Sequence, residues 1–416
     1  MSKSKRAIVA GLAVAVLVVT ACSSSSKPSS SSATTAPAGS QSGGPTYTIG
    51  VLTDLSGPGS NTGDTTEQGI KAGIGLANTE GFHIKYVMAD TGTSPTGALT
   101  AAKKLVEQDH VLAVMQISVV GFGAAPYLAS KGIPVIGGNV DGPEWITSRN
   151  MFSVLGYQDY TKVQTTYGVV MKKLGMTNVG GVAYGIEPAS YDVVKSWAAS
   201  AELAGLKVGY LNTQLPFGDT NLGPVAIQMK NAGVDGTYNA VVTSTSFALV
   251  EAMEQEGMKS KAIQATGYGG DLTGGGPGAS QAAQGVYFLL GYEPVELQTP
   301  ATQQFVNSLK SYANWNQDPT LSEYLGYLSI DALVQGLKLT GPNPTQAALI
   351  NDMLTITNYS ATGLWGGHTV SFALNTRGTV AAADNCTWIT QYRGSTFYPV
   401  AGLSPQCGEQ VPGKSI

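Results

Sequence analysis

Apolar positions along this chain follow two rhythms that take turns. Residues 47–51 (YTIGV) have the character of a strand and run through a Ser-Gly-Pro-Gly loop into an amphipathic stretch, 64–79, with the 3.6-residue period of a helix. The order then recurs: strand 83–89, helix 94–109, strand 112–117, helix 121–131, and strand 133–136 leading into the loop 137–143. A second series opens near Gly156, with helix 160–174, strand 178–184, helix 190–204, strand 207–211, helix 222–232, strand 238–243, helix 246–256 and strand 262–266. After the glycine-rich stretch 267–278 come strand 286–290 and helices 299–312, 322–340 and 344–356, and residues 369–400 carry short alternating patterns of the kind found in hairpins. Such alternation predicts an α/β protein of two successive lobes, each a doubly wound parallel sheet covered on both faces. Right-handed crossovers put the carboxyl ends of all strands at one rim, where open sheets bind ligands. The first of these loops, 52–63, is the natural starting point for a search.

The amino-terminal residues fit neither rhythm. Lys3, Lys5 and Arg6 precede an apolar run, 7–19, too short to span a bilayer, and small residues lead to Cys22. The sequence Val19-Thr20-Ala21-Cys22 resembles the lipobox of bacterial lipoproteins, which implies a signal peptide over 1–21, acylation of Cys22, and anchoring of the exported protein to the outer face of the cytoplasmic membrane. Residues 23–44, nearly all Ser, Thr, Ala, Pro and Gly, cannot pack a core and suit a flexible tether. The rest is apolar enough to fold: hydrophobic residues make up 43% of the chain and charged ones 12%. A net charge of -4 offers no basic stripe for nucleic acid. Cys386 and Cys407 remain after Cys22, and in an oxidising compartment a disulfide between them is expected, contributing roughly 3 kcal/mol by closing its loop.

The opening IGVLTDLSGPGSNTG, the segment GIPVIGGNVDGPEW (132–145), the stretch YLGYLSIDALVQGLKLTG (324–341) and the lipobox, in this order and spacing, resemble the leucine/isoleucine/valine-binding-protein-like receptors of ABC importers. The resemblance covers nearly the whole mature chain, about 47–400, and implies the type I periplasmic binding protein fold: two Rossmann-like lobes joined by a three-crossover hinge, closing on a ligand between them. Lobe one would comprise 47–157 with 289–355, and lobe two 158–288 with 356–416, after a linker over 22–46, with crossovers near Gly156, Leu289 and Ile356. A monomer working with a permease and its ATPases is implied, without a cofactor and without enzymatic chemistry.

Carried over position by position, the resemblance assigns a ligand carboxylate to Ser118 and to the loop Asn139, Val140 and Asp141. Ser118 precedes a predicted helix whose free N–H groups favour an anion, and it can cap that helix at the same time. Asp141 departs from the family, which has threonine there; two carboxylates 4 Å apart at an effective dielectric near 20 repel by about 4 kcal/mol. The family's ammonium-binding glutamate is also missing after strand 262–266, where Gly267-Tyr268-Gly269 stands instead. Asp141 therefore either takes the ammonium from the opposite lobe, accepts N–H groups of an amide or urea-like solute, or is a turn residue. Asn61 and Thr62 replace an aromatic wall, and Tyr184, Tyr191, Thr243 and Tyr268 sit in or beside loops at strand ends.

Two other classes compete. Gly121-Phe122-Gly123-Ala124-Ala125-Pro126, with Asp141 downstream, echoes a dinucleotide-binding fingerprint and hence an oxidoreductase, but Pro126 stands where Gly or Ala is needed for close packing. A ligand sensor on the same lobes is the other alternative. Nothing in the spacing of His83, His110 and His368 suggests a metal site, and no G-x-S-x-G elbow is present.

Overall fold

The computed structural model describes residues 44–138, 141–270, 272, 278–378 and 385–416. Two parallel sheets organise it. The first has the order β2-β1-β3-β4-β5, formed by β1 (Thr46–Thr53), β2 (His83–Asp90), β3 (Ala113–Ile117), β4 (Val135–Gly137) and β5 (Met151–Ser153). Residues alternate across it: Ile49 and Val51 of β1 face one core, while Leu52 faces another with Val114, Val135 and Leu105. Gly50 takes part in the second arrangement because a Cβ there would lie 2.6 Å from the Leu105 side chain.

The second sheet follows β6 (Lys162–Gln164) in the chain. It contains β7 (Asn178–Tyr184), β8 (Lys207–Leu215), β9 (Gly236–Ala240), β10 (Lys261–Gln264), β11 (Tyr287–Leu290), β12 (Trp388–Arg393) and β13 (Thr396–Pro399), in the order β13-β12-β11-β10-β9-β7-β8. Its parallel part ends at β11, which pairs antiparallel with β12. Finally β14 (Gln410–Ser415) pairs antiparallel with β6.

Between visits to the second sheet the chain returns to the first. The helices Pro300–Ala313 and Leu321–Thr340 pack on the Thr66–Thr79 helix, which covers one face of the first sheet. The seam with Leu321–Thr340 is made of glycines: a Cβ on Gly69 would stand 2.2 Å from the Glu323 carbonyl oxygen, and one on Gly73 2.7 Å from Ile330 Cβ. A capping box of Thr320 and Glu323 starts this helix.

The expected elements need several corrections. Residues 160–174 do not form one helix: β6 comes first, held by the carboxyl-terminal β14, and the helix is Thr165–Lys173. Residues 121–131 split into a tight turn, Gly121–Gly123, and the helix Ala125–Ser130, because Pro126 cannot donate within a continuing helix. Leu289 and Leu290, assigned from the sequence to lobe one, lie in β11 of the second sheet. Residues 356–378, assigned to lobe two, lie against lobe-one elements instead: the Phe372 ring meets Phe152 and Tyr157, and Tyr359 donates to the Leu328 carbonyl. Arg377 secures this passage. Its guanidinium donates to the carbonyls of Phe372, Trp145 and Ser148 and lies 4.3 Å from the centre of the Tyr157 ring.

Candidate functional site

The carboxyl ends of β1, β3 and β4 form the rim of the first sheet, and their polar side chains are bound to one another. Asp54, at the end of β1, is buried and accepts hydrogen bonds from the Ser118 hydroxyl (2.7 Å), the Val119 N–H (2.9 Å) and the Thr91 hydroxyl. Ser118 in turn accepts from the Val120 N–H at 3.1 Å. The hydroxyl assigned to a ligand carboxylate thus donates to a carboxylate of the protein itself. Burial raises the Asp54 pKa, and its three hydrogen bonds oppose the rise.

Asp141 is committed as well. Its side chain is fully buried, and its two oxygens accept from the Gln116 amide (2.8 Å) and the Trp145 indole N–H (2.7 Å). Burial, then the charge of Glu144, holds its pKa well above the carboxylate range. The side chain is not among the described residues that line the cavity below; it joins β3 to the turn that carries Trp145. Its backbone carbonyl, however, reaches the second lobe and accepts from the Ala189 N–H at 3.2 Å. Asn139 and Val140 lie outside the described residues.

Across the cleft the rims touch. Thr62 Oγ1 lies 3.5 Å from Thr243 Oγ1, and Gly218 packs so closely on Pro58 that a Cβ there would sit 2.5 Å from Pro58 Cβ. Behind these contacts lies a cavity of about 190 Å³. Lobe one supplies Thr62, Val119 and Leu321 to its walls; the connecting passages supply Leu155, Gln158, Tyr160 and Tyr292. The helices and loops around the second sheet contribute Glu187, Trp197, Val242, Thr266 and Tyr268, and Asn385, Cys386 and Thr387 complete one side. Most of this surface is apolar or aromatic.

Of the residues expected in the site, Thr62 and Tyr268 line the cavity. Tyr268 is fixed by a hydrogen bond to Glu296 (2.8 Å) and by the Val295 N–H it accepts. Thr243 opens the Thr243–Gln255 helix beside the lining residue Val242. Tyr184 is a core residue: its hydroxyl donates to Thr245 and accepts from the Val242 N–H, and its ring meets Phe217. Tyr191 stands on the Pro188–Leu203 helix with the Lys195 ammonium 4.9 Å from its ring centre. Asn61, half-buried in the turn Ser60–Gly63, is not among the described lining residues. Cys386 and Cys407 are joined by a disulfide.

The residue that sequence reasoning passed over is Glu187. It follows β7 at the rim, immediately before Pro188, and is 6% exposed within the cavity wall. Burial, then the charges of Asp141 and Asp54, holds its pKa well above the ordinary range. An acidic residue in the loop Gly185-Ile186-Glu187-Pro188, after a strand that ends at a rim, was the available signal.

The glycines of the rival nucleotide fingerprint are taken up by packing: a Cβ on Gly123 would lie 2.3 Å from the Pro95 carbonyl oxygen and one on Gly121 2.2 Å from the Gln116 amide. What the two rims enclose is a small cavity reached from both lobes, and residues 46–396 match the family described as periplasmic binding protein. The chain belongs to that family.

Solved structures agree. A branched-chain amino acid substrate-binding protein from Streptococcus pneumoniae, in complex with isoleucine, is 16% identical over 88% of this chain and 99% of its own, with a TM-score of 0.69. A solute-binding protein of an ABC transporter from R. palustris, in complex with benzoate, is 18% identical over 88% and 98%, with a TM-score of 0.72. A fatty acid ABC transporter substrate-binding protein from Thermomonospora curvata is 17% identical over 88% and 93%, with a TM-score of 0.71. At such identities the likeness establishes the fold, which is that of type I periplasmic binding proteins. No curated protein sequence matches the chain. Members of the family are binding proteins that work outside the cytoplasm, and no described helix of this periplasmic binding protein is long and apolar enough to cross a membrane.

Proposed function

We propose that this protein is the extracytoplasmic, lipid-anchored receptor of an ABC importer, and that it captures a small organic solute between its lobes and presents the closed form to a permease. The observation that carries the reading is the cavity, walled by both lobes and by the passages between them, with the rims in contact over it. Aromatic and aliphatic walls suit a solute with an apolar body and one polar group better than a urea-like one. Benzoate, the ligand of one relative, fits that description, and isoleucine, the ligand of another, joins an apolar side chain to an ammonium and a carboxylate. The family's usual carboxylate pose is not supported here, because the Ser118 hydroxyl serves Asp54 and a ligand carboxylate would add a second negative group beside it.

Anchoring is tested by Cys22→Ser, which moves the protein from the membrane fraction to the soluble one. Function is tested by thermal unfolding against amines, amino acids, amides and aromatic acids, followed by uptake of any solute that raises the midpoint. A ligand at a hundred times its dissociation constant adds about 2.7 kcal/mol. Uptake lost in a strain without the protein supports transport; binding with undiminished uptake points to a sensor.

A further inference from the structure

We propose that Glu187 sets the choice of solute: its carboxylate binds a positively charged amine nitrogen whose apolar or aromatic body lies against the ring-lined walls. This rests on the receptor reading above and names its substrate class. Glu187 occupies the cap position of the Pro188–Leu203 helix, where an acidic side chain ordinarily accepts an N–H of the first turn, yet it makes no such bond. Among the described residues its carboxylate has no hydrogen-bond partner, although the residue is 6% exposed and faces the cavity. A buried carboxylate left open in this way is costly unless something else meets it.

The surroundings select the partner's charge. No Lys, Arg or His lines the cavity among the described residues. The titratable groups facing Glu187 are Asp141 and Asp54 of lobe one, both with their oxygens engaged, together with Tyr160 and Tyr184. An anionic solute would meet no cation there and would bring its charge among acids only. Trp197, Tyr160 and Tyr167 add ring faces, on which an ammonium group is also favoured.

In the free receptor burial, then the nearby charges of Asp141 and Asp54, favours the protonated form of Glu187. An arriving ammonium reverses that preference, and the proton leaves to solvent. Affinity for an amine therefore rises with pH as long as the free receptor holds the proton and the amine holds its own charge.

The test is calorimetry on the purified full chain with 2-phenylethylamine and 3-methylbutylamine, against 3-phenylpropanoate, 4-methylpentanoate and the matching alcohols, each in two buffers of different ionisation enthalpy. The amines bind and release protons; the acids do not bind. Glu187→Gln weakens amine binding by roughly 30-fold or more and abolishes proton release, and Glu187→Asp retains part of both. Thermal unfolding of the unliganded variants shows that they remain folded. The assignment is overturned, with the receptor reading intact, if the acids or alcohols bind in preference, or if Glu187→Gln binds amines as tightly as the native protein. If no probe of any charge binds, the assignment is overturned, while the receptor reading is decided by the broader solute panel and the uptake measurement above.

Discussion

Asp141 and Glu187 are both buried acids at the mouth of the cleft, and what separates them is whether protein donors reach them. Asp141 receives the Gln116 amide and the Trp145 indole, so Asp141→Ala leaves two buried donors without acceptors and should cost roughly 1–3 kcal/mol, seen as a lower urea midpoint with solute affinity nearly unchanged. A large loss of affinity in a stably folded variant would contradict this placement. Glu296 offers a test by pH. Burial pushes its pKa from 4.5 up to about 7, so the folded protein holds a proton there that the unfolded chain has released. Stability present at low pH is then lost as pH rises from 4.5 towards 7, by roughly 2–3 kcal/mol for this group, and Glu296→Gln should flatten that part of the curve of melting midpoint against pH. Residue identity was legible in the sequence only where position alone sufficed. Thr62 and Tyr268 reach the cavity wall because a loop after a strand must reach the rim. The partners of Asp141 could not be read, since Gln116 comes from another strand, and Glu187 was hidden by the common meaning of an acid before a helix.

Elements were more legible than contacts, because their period is local while their partners are not. The main strands and long helices follow from the alternation of apolar positions, whereas β6 takes its extended form from β14 at the far end of the chain. The seam between Thr66–Thr79 and Leu321–Thr340 shows the same limit: glycines on a helix face say that something comes close without saying what. At Gly69 it is the Glu323 carbonyl, 2.2 Å from where a Cβ would sit, so Gly69→Ala must push the helices apart and should cost roughly 2 kcal/mol. At Gly223, the start of the Gly223–Asn231 helix, an added Cβ would meet nothing within 4 Å, and Gly223→Ala should be neutral or slightly stabilising. Chemical denaturation of the two variants compares them directly; equal midpoints would mean that the seam adapts.

For the molecule as a whole, rim contacts are the means by which closure is read. Gly218 has a φ of 72°, which asparagine tolerates better than most residues, and its backbone touches Pro58 across the cleft. Gly218→Asn should preserve the loop yet obstruct the closed form, raising the solute dissociation constant about tenfold, equivalent to about 1.4 kcal/mol. Small-angle scattering should show a larger radius of gyration at partial saturation; unchanged affinity and compaction would mean that this contact does not limit closure. The two-lobe architecture was legible because its motifs keep their order along the chain, but the return of residues 356–378 to the first lobe depends on Arg377 and its carbonyl partners, which no periodicity announces. The disulfide ties the cavity to a compartment. Asn385, Cys386 and Thr387 wall the cavity, and Cys386 is held to Cys407 by a bond that a reducing cytoplasm does not sustain. Where that bond is absent, the wall formed by Asn385, Cys386 and Thr387 loses its tether to Cys407, so the cavity is complete only in an oxidising compartment.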